Sequence, residues 1–253
     1  MNGSRRMIGP ALLAGAVIFF LTPDVASAAP LEIPDLGITA AAEPGAALQT
    51  MQILLLLTVL AIAPAFLLLC TAFTRIAVVL GFLRTAMGTQ QLPPTQVLLG
   101  LALFLTVAVM APTFQEINAT AIEPYSRGEI TQTEFFERAA VPLKEFMLKQ
   151  TREQDLALML EISDAPAPEG PEDVSFWTVV PAFAISELRT AFTMGFLLFL
   201  PFVIIDFIVA STLMSMGMMM VPPIMISLPF KILLFVLVDG WHLVVESLFQ
   251  SFL

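Results

Sequence analysis

Four apolar blocks divide the chain: Met51 to Ala72, Val97 to Phe114, Trp177 to Met214 and Ile224 to Leu253. Each contains a stretch near the roughly 20 residues that a membrane helix needs, so hydropathy predicts four spans. Between the second and third blocks the pattern changes. From Gln115 to Ser175 thirteen acids stand against five bases, and the apolar residues become periodic. Thr131 followed by Glu134 predicts a capping box that opens a helix. Along it Ala139, Leu143, Phe146, Met147 and Gln150 fall on nearly one face, with Lys144, Glu145, Lys149 and Arg152 largely off it. Pro142 marks a kink in this helix or its true start. A second helix is predicted over Glu153 to Ile162, followed by the Pro- and acid-rich linker SDAPAPEGPEDVS, Ser163 to Ser175.

The first residues follow another rule. Arg5 and Arg6 precede the apolar run Ile8 to Leu21, and Ala26-Ser27-Ala28 offers a small-x-small site before Ala29-Pro30. That pattern predicts a signal peptide over residues 1–28, cleaved after Ala28; a retained signal anchor is the alternative. Residues 29–50 read as a disordered leader. The rest divides into an N-terminal helical hairpin (51–114), an acidic helical segment on the periplasmic side (115–175) and a C-terminal helical hairpin with a methionine-rich loop (176–253). The expected fold class is all-α and membrane-associated: two long kinked helical hairpins plus a small exported helical segment.

Composition agrees with a membrane setting. Hydrophobic residues make up 58%, charged ones only 13%, and the mean hydropathy is +0.89. Acidic residues outnumber basic ones by 21 to 11, without the clustered Lys and Arg that phosphate backbones require, which argues against nucleic acid. The single cysteine, Cys70, sits in an apolar run and reads as a small buried hydrophobe. The connection between the first two blocks holds Arg75 and Arg84 and no acid, so the positive-inside rule places it in the cytoplasm and the acidic segment across the membrane.

Several charges interrupt the apolar blocks: Glu187, Arg189, Asp206, Lys231, Asp239, His242 and Glu246. An isolated charge in hydrocarbon costs at least about 2.5 kcal/mol. Arg189, Asp206, Lys231 and Asp239 are therefore expected to be buried against protein. Glu187 and Arg189 are two apart and cannot pair along one helix face, so Glu187 needs another partner, which a neighbouring chain could supply. Phe146, a large apolar residue on the amphipathic helix, is assigned with Glu187 to subunit contacts. Ordinary intrachain packing is the alternative for both. Seven prolines in or beside the blocks, among them Pro64, Pro181, Pro201 and Pro229, predict bent helices.

The segment Met214 to Pro223, MSMGMMMVPP, holds five of the fourteen methionines and no charge. Flexible thioethers at a hairpin tip suit a surface that closes around irregular shapes; a merely greasy interhelical loop is the plainer alternative. No phosphate-binding glycine loop, zinc motif or nucleophile elbow is present. An enzyme is not expected, and neither a cofactor nor a metal is called for.

The stretch from Phe73, FTRIAVVLGFLRTAMGTQQLPPTQVLLGLALFLTVAVMAP, resembles the signature of the FliP family of flagellar type III export-gate proteins. GMMMVPP followed by LPFKILLFVLVDGW (Leu228 to Trp241) resembles that family's second signature, and FMLKQTREQDLALM and SELRTAF (Ser186 to Phe192) are similar to it as well. The resemblance runs from about residue 51 to 253. It implies a pentameric, helical, conical gate joined by FliQ-like and FliR-like subunits at the centre of the flagellar basal body in the bacterial inner membrane. It further implies helices raised above the bilayer plane, unfolded polypeptides as cargo, and Met218, Met219 and Met220 as a pore gasket. Two other functions stay open: the equivalent subunit of a virulence injectisome, and a proton-coupled small-solute transporter using Asp206, Asp239 and His242. The transporter predicts internal repeats, which the two halves do not show.

Overall fold

A computed structural model describes residues 44–89, 92–163, 168, 170 and 173–253. The cleavage site at Ala28 and residues 29–43 of the leader lie outside the described residues. Among the described residues every regular element is helical. They fall into two compact units that meet between Val59 and Leu60. The first contributes only the start of helix α1 (Pro44–Leu69). That helix begins inside the stretch read as leader, because residues 44–50 carry nothing that stops a helix after the proline at its first position.

The second unit holds the remaining elements: α2 (Phe73–Ala86), α3 (Thr95–Ile117), α4 (Glu123–Ser126), α5 (Gln132–Gln150), α6 (Glu153–Ile162), α7 (Phe176–Ser215), α8 (Pro223–Leu237) and α9 (Gly240–Gln250). A five-residue π-helical segment, Asn118–Ile122, joins α3 to α4. Three stretches are long and apolar enough to cross a membrane: 51–69, 95–126 and 176–215. The pair α8–α9, bent by 64°, makes a fourth if it counts as one span.

The expectation of two simple hairpins is corrected at both ends. The connection between the first two blocks is itself a helix, α2, so the N-terminal part contains three helices. FTRIAVVLGFLRTA carries Ile76, Val79, Leu80, Leu83 and Ala86 on one stripe, all buried, and that stripe packs chiefly on α7. Close approach there depends on Gly195 of α7: a Cβ would lie 2.5 Å from the ring of Phe82. Phe82 meets Phe192 edge-on at 5.2 Å. At the other end, the last block breaks at Asp239, whose φ of 50° is left-handed, and Gly240 leaves room for the ring of Phe235.

The acidic segment follows its pattern closely. Thr131 accepts from the Glu134 N–H and Glu134 accepts from the Thr131 N–H, the reciprocal capping box. Those hydrogen bonds hold the Glu134 carboxyl below its ordinary value. Helix α5 continues through Pro142 rather than starting there, and α6 covers Glu153–Ile162 as the periodicity predicts. Cys70 is buried, as its place in an apolar run predicts.

Candidate functional site

The tip between α7 and α8 is shaped by glycine and proline. Helix α7 ends in a Schellman motif: Gly217, at φ +77°, donates to the Met214 carbonyl at 3.0 Å, and Met218 donates to the Leu213 carbonyl at 3.0 Å. Pro222 then sets the extended entry to α8, with Pro223 at its first position, where a missing N–H costs nothing. Between these two stops lie Met218, Met219 and Met220, exposed by 43%, 83% and 98%, and then Val221. Among the described residues nothing covers the last two methionines.

Behind the tip the two arms are tied by an ion pair. Lys231 Nζ of α8 lies 2.6 Å from Asp206 Oδ2 of α7. Ser227 Oγ donates to the other carboxylate oxygen at 2.5 Å, and Lys231 also donates to the Ala86 carbonyl at the end of α2, at 3.3 Å. The pair is thus made within one chain and reaches a third helix. Gly88, at φ +72°, ends α2 beside this lysine.

Nearer the start of α7 sits a second charged centre. Arg75 of α2 and Glu187 of α7 are buried to 2% and 0% side-chain exposure. Arg75 Nε donates to Glu187 Oε2 at 2.9 Å, and Nη2 donates to Glu187 Oε1 and to Gln150 Oε1 of α5. Nη1 donates to the carbonyl and hydroxyl of Ser251, at 2.6 and 2.9 Å. The Phe252 ring covers the guanidinium at 3.9 Å, and Gln150 Nε2 holds the Phe252 carbonyl at 3.0 Å. Every N–H of the guanidinium therefore has a partner. Alongside, Asp155 accepts from Ser186 Oγ and from Arg152 Nη2, each at 2.5 Å. Desolvation raises the Asp155 carboxyl, but those hydrogen bonds and the Arg152 and Arg189 charges outweigh it and hold the group below its ordinary value.

The structure revises part of the reading from sequence. Glu187 finds its partner in Arg75 of the same chain, so no neighbouring chain is needed to neutralise it, and its full burial keeps it off the surface. Arg189 and Asp239 are exposed rather than buried. Arg189 follows Glu187 by two residues and so points away from the packed face, while Asp239 occupies the bend between α8 and α9. Asp206 is only partly buried; Lys231 is buried. Phe146 is half-buried, with ring centroids 6.0 Å from Phe183 and 6.5 Å from Phe252. Arg75, assigned to a cytoplasmic connection, lies inside the helical packing, paired with Glu187. Its place on the helical stripe with Ile76, Val79 and Leu83 was the available signal. Asp155, Ser186 and Ser227 were not singled out; single polar residues in amphipathic or apolar helices carry no such signal.

Comparison with known proteins converges on one family. A family model described as the FliP family matches residues 56–248, a range that holds Arg75, Glu187, Asp206, Lys231 and the methionine tip. Flagellar biosynthetic protein FliP of Bacillus subtilis (strain 168) is 57% identical over 217 residues, covering 86% of this chain and 98% of that protein. Proteins of the same name from Pectobacterium carotovorum subsp. carotovorum and Aquifex aeolicus (strain VF5) are 55% and 49% identical over 203 and 210 residues. They cover 80% and 82% of this chain, and 79% and 88% of their own lengths. A resemblance first carried by two signatures thus extends across the helices that build both charged centres, and the chain belongs to the FliP family.

Proposed function

We propose that this chain is a pore-forming subunit of a flagellar type III export gate in the bacterial inner membrane, passing unfolded polypeptides during flagellum biogenesis. The observation that carries it is the methionine tip: three consecutive exposed thioethers, the last two almost fully so, on a turn stopped by Gly217 at one side and Pro222 at the other. In a pentamer completed by FliQ-like and FliR-like subunits, each chain would bring three thioethers to a common axis. Methionine's soft torsions let such a ring exclude ions and water while yielding to a passing chain. The acidic segment 115–175 lies on the periplasmic side in this reading. The names of the relatives favour the flagellar role over an injectisome. Against a proton-coupled transporter, Asp206 is engaged by Lys231 and Ser227 rather than offered to a solute.

The test replaces Met218, Met219 and Met220 with Ala in the complete export complex. Assembly is expected to persist and ion conductance across the membrane to rise; background conductance with failed secretion would refute the gasket and leave the loop an assembly role. Phe146→Ala is expected to weaken the pentamer seen by native mass analysis, since its ring packs on Phe183 and Phe252 with part of its surface uncovered. An unchanged pentamer removes Phe146 from the subunit contact.

A further inference from the structure

We infer that the cavity between α2 and the first turn of α3 binds the phosphate-bearing headgroup of an anionic phospholipid. This site is independent of the methionine tip. The cavity has a volume of about 430 Å³, and Arg84 is its one charged lining residue. Arg84 Nη1 donates to Thr95 Oγ1 at 2.8 Å. That bond fixes the guanidinium against the start of α3 and leaves the Thr95 O–H to donate to an oxygen in the cavity. Thr85 and Thr89 line the same space. A cation held beside hydroxyl donors is the recognition chemistry of a phosphate group.

Three further features select a lipid. Thr95 is the first residue of the stretch 95–126, one of the helices long and apolar enough to cross a membrane, and headgroups lie at the ends of such spans. Leu99, which lines the cavity, is followed at four-residue intervals by Leu103 and Val107, all three exposed. They form a continuous apolar ridge running from the headgroup site along the span, the track an acyl chain requires. Lastly, Gly81, an exposed residue that lines the cavity, sits in the interior of α2, where glycine is destabilising relative to alanine. Nothing lies within 4 Å of the Cβ it lacks. Packing among the described residues does not require that glycine, and a larger side chain there would take up the space an occupant needs.

Native mass spectrometry of the full chain released from detergent tests the site, with phosphatidylglycerol, phosphatidylcholine or inorganic phosphate added in separate arms. The wild-type chain is expected to retain phosphatidylglycerol, and Arg84→Gln to retain about fivefold less, the loss expected for one basic residue at an anionic membrane surface. Gly81→Leu, which fills the cavity and keeps the charge, is expected to lose the adduct as well, and it carries the test if Arg84→Gln does not fold. Arg127→Gln changes an exposed arginine paired to Glu123 and is expected to retain lipid like the wild type. Equal retention by Gly81→Leu or a folded Arg84→Gln and the wild type overturns the site. Equal retention of phosphatidylcholine removes headgroup charge from recognition. Saturable binding of inorganic phosphate that displaces the lipid assigns the cavity to a free anion instead.

Discussion

The two ends of α7 have similar composition and opposite surroundings. From Thr178 to Ala191 the helix buries Val179, Ala182, Phe183, Ser186, Glu187 and Ala191 against α2, α5 and α6. From Phe196 to Met214 it exposes Phe196, Leu197, Ile204, Phe207, Ile208 and Met214. The first half is a protein interior in which even a glutamate is completely hydrogen-bonded. The second is largely exposed and apolar, held to α8 by Phe202 against Phe235 and by the Asp206–Lys231 ion pair, and it ends in the methionine tip. Hydropathy therefore measures what a helix can be covered by, and not whether its own chain does the covering. An exposed apolar surface this extensive on one chain is what a membrane or partner subunits would cover.

The largest effect should come from opening the packed half. Arg75→Ala leaves the Glu187 carboxylate buried without its cation, an expected loss of about 3–5 kcal/mol, read as a lower Tm or failed accumulation. The double variant Arg75→Met with Glu187→Leu should recover much of that loss, because it removes both charges and roughly conserves volume. No recovery would mean that Gln150, Ser251 and Phe252 depend on the guanidinium itself. Next in size is Gly195→Ala. The added methyl overlaps the Phe82 ring, and overpacking of this kind costs about 1–3 kcal/mol; a thermal melt matching the wild type would show that α2 can shift away from α7 cheaply.

The smallest effect is one of pH. Asp155 has its folded pKa held below the ordinary 3.8, so its stabilising contribution is complete above that value and lost as pH falls through the depressed one. The stability gap between wild type and Asp155→Asn is therefore expected to be widest near neutral pH and to close in acid below about pH 4. A gap that persists unchanged into strong acid would assign the effect to shape rather than charge.

Where local rules govern, the sequence is easily read. Thr131 and Glu134 are three residues apart and cap α5 as that spacing demands; Glu153–Ile162 is helical as its periodicity requires; the apolar block 177–214 lies within α7. The candidate site is legible in the same sense. Gly217 and Pro222–Pro223 mark where the helices must stop, so the methionines between them must form a tip. The charged residues were harder. Asp206 and Lys231 stand 25 residues apart on helices joined by a tight turn, and that spacing does not say whether such a pair closes within one chain or between chains. Arg75 and Glu187 are 112 residues apart, and nothing local joins them.

Sequence alone determined that this chain is helical and apolar, where its helices stop, and that methionines crown one turn, because capping, periodicity and proline act over a few neighbouring residues. Only the tertiary structure decided that Arg75 belongs to a buried knot with Glu187, Gln150 and Ser251, that the chain itself leaves Arg189 and Asp239 exposed, and that one half of α7 is packed more fully than the other. Those outcomes depend on which helices meet, and a charge's burial is a property of its surroundings in space.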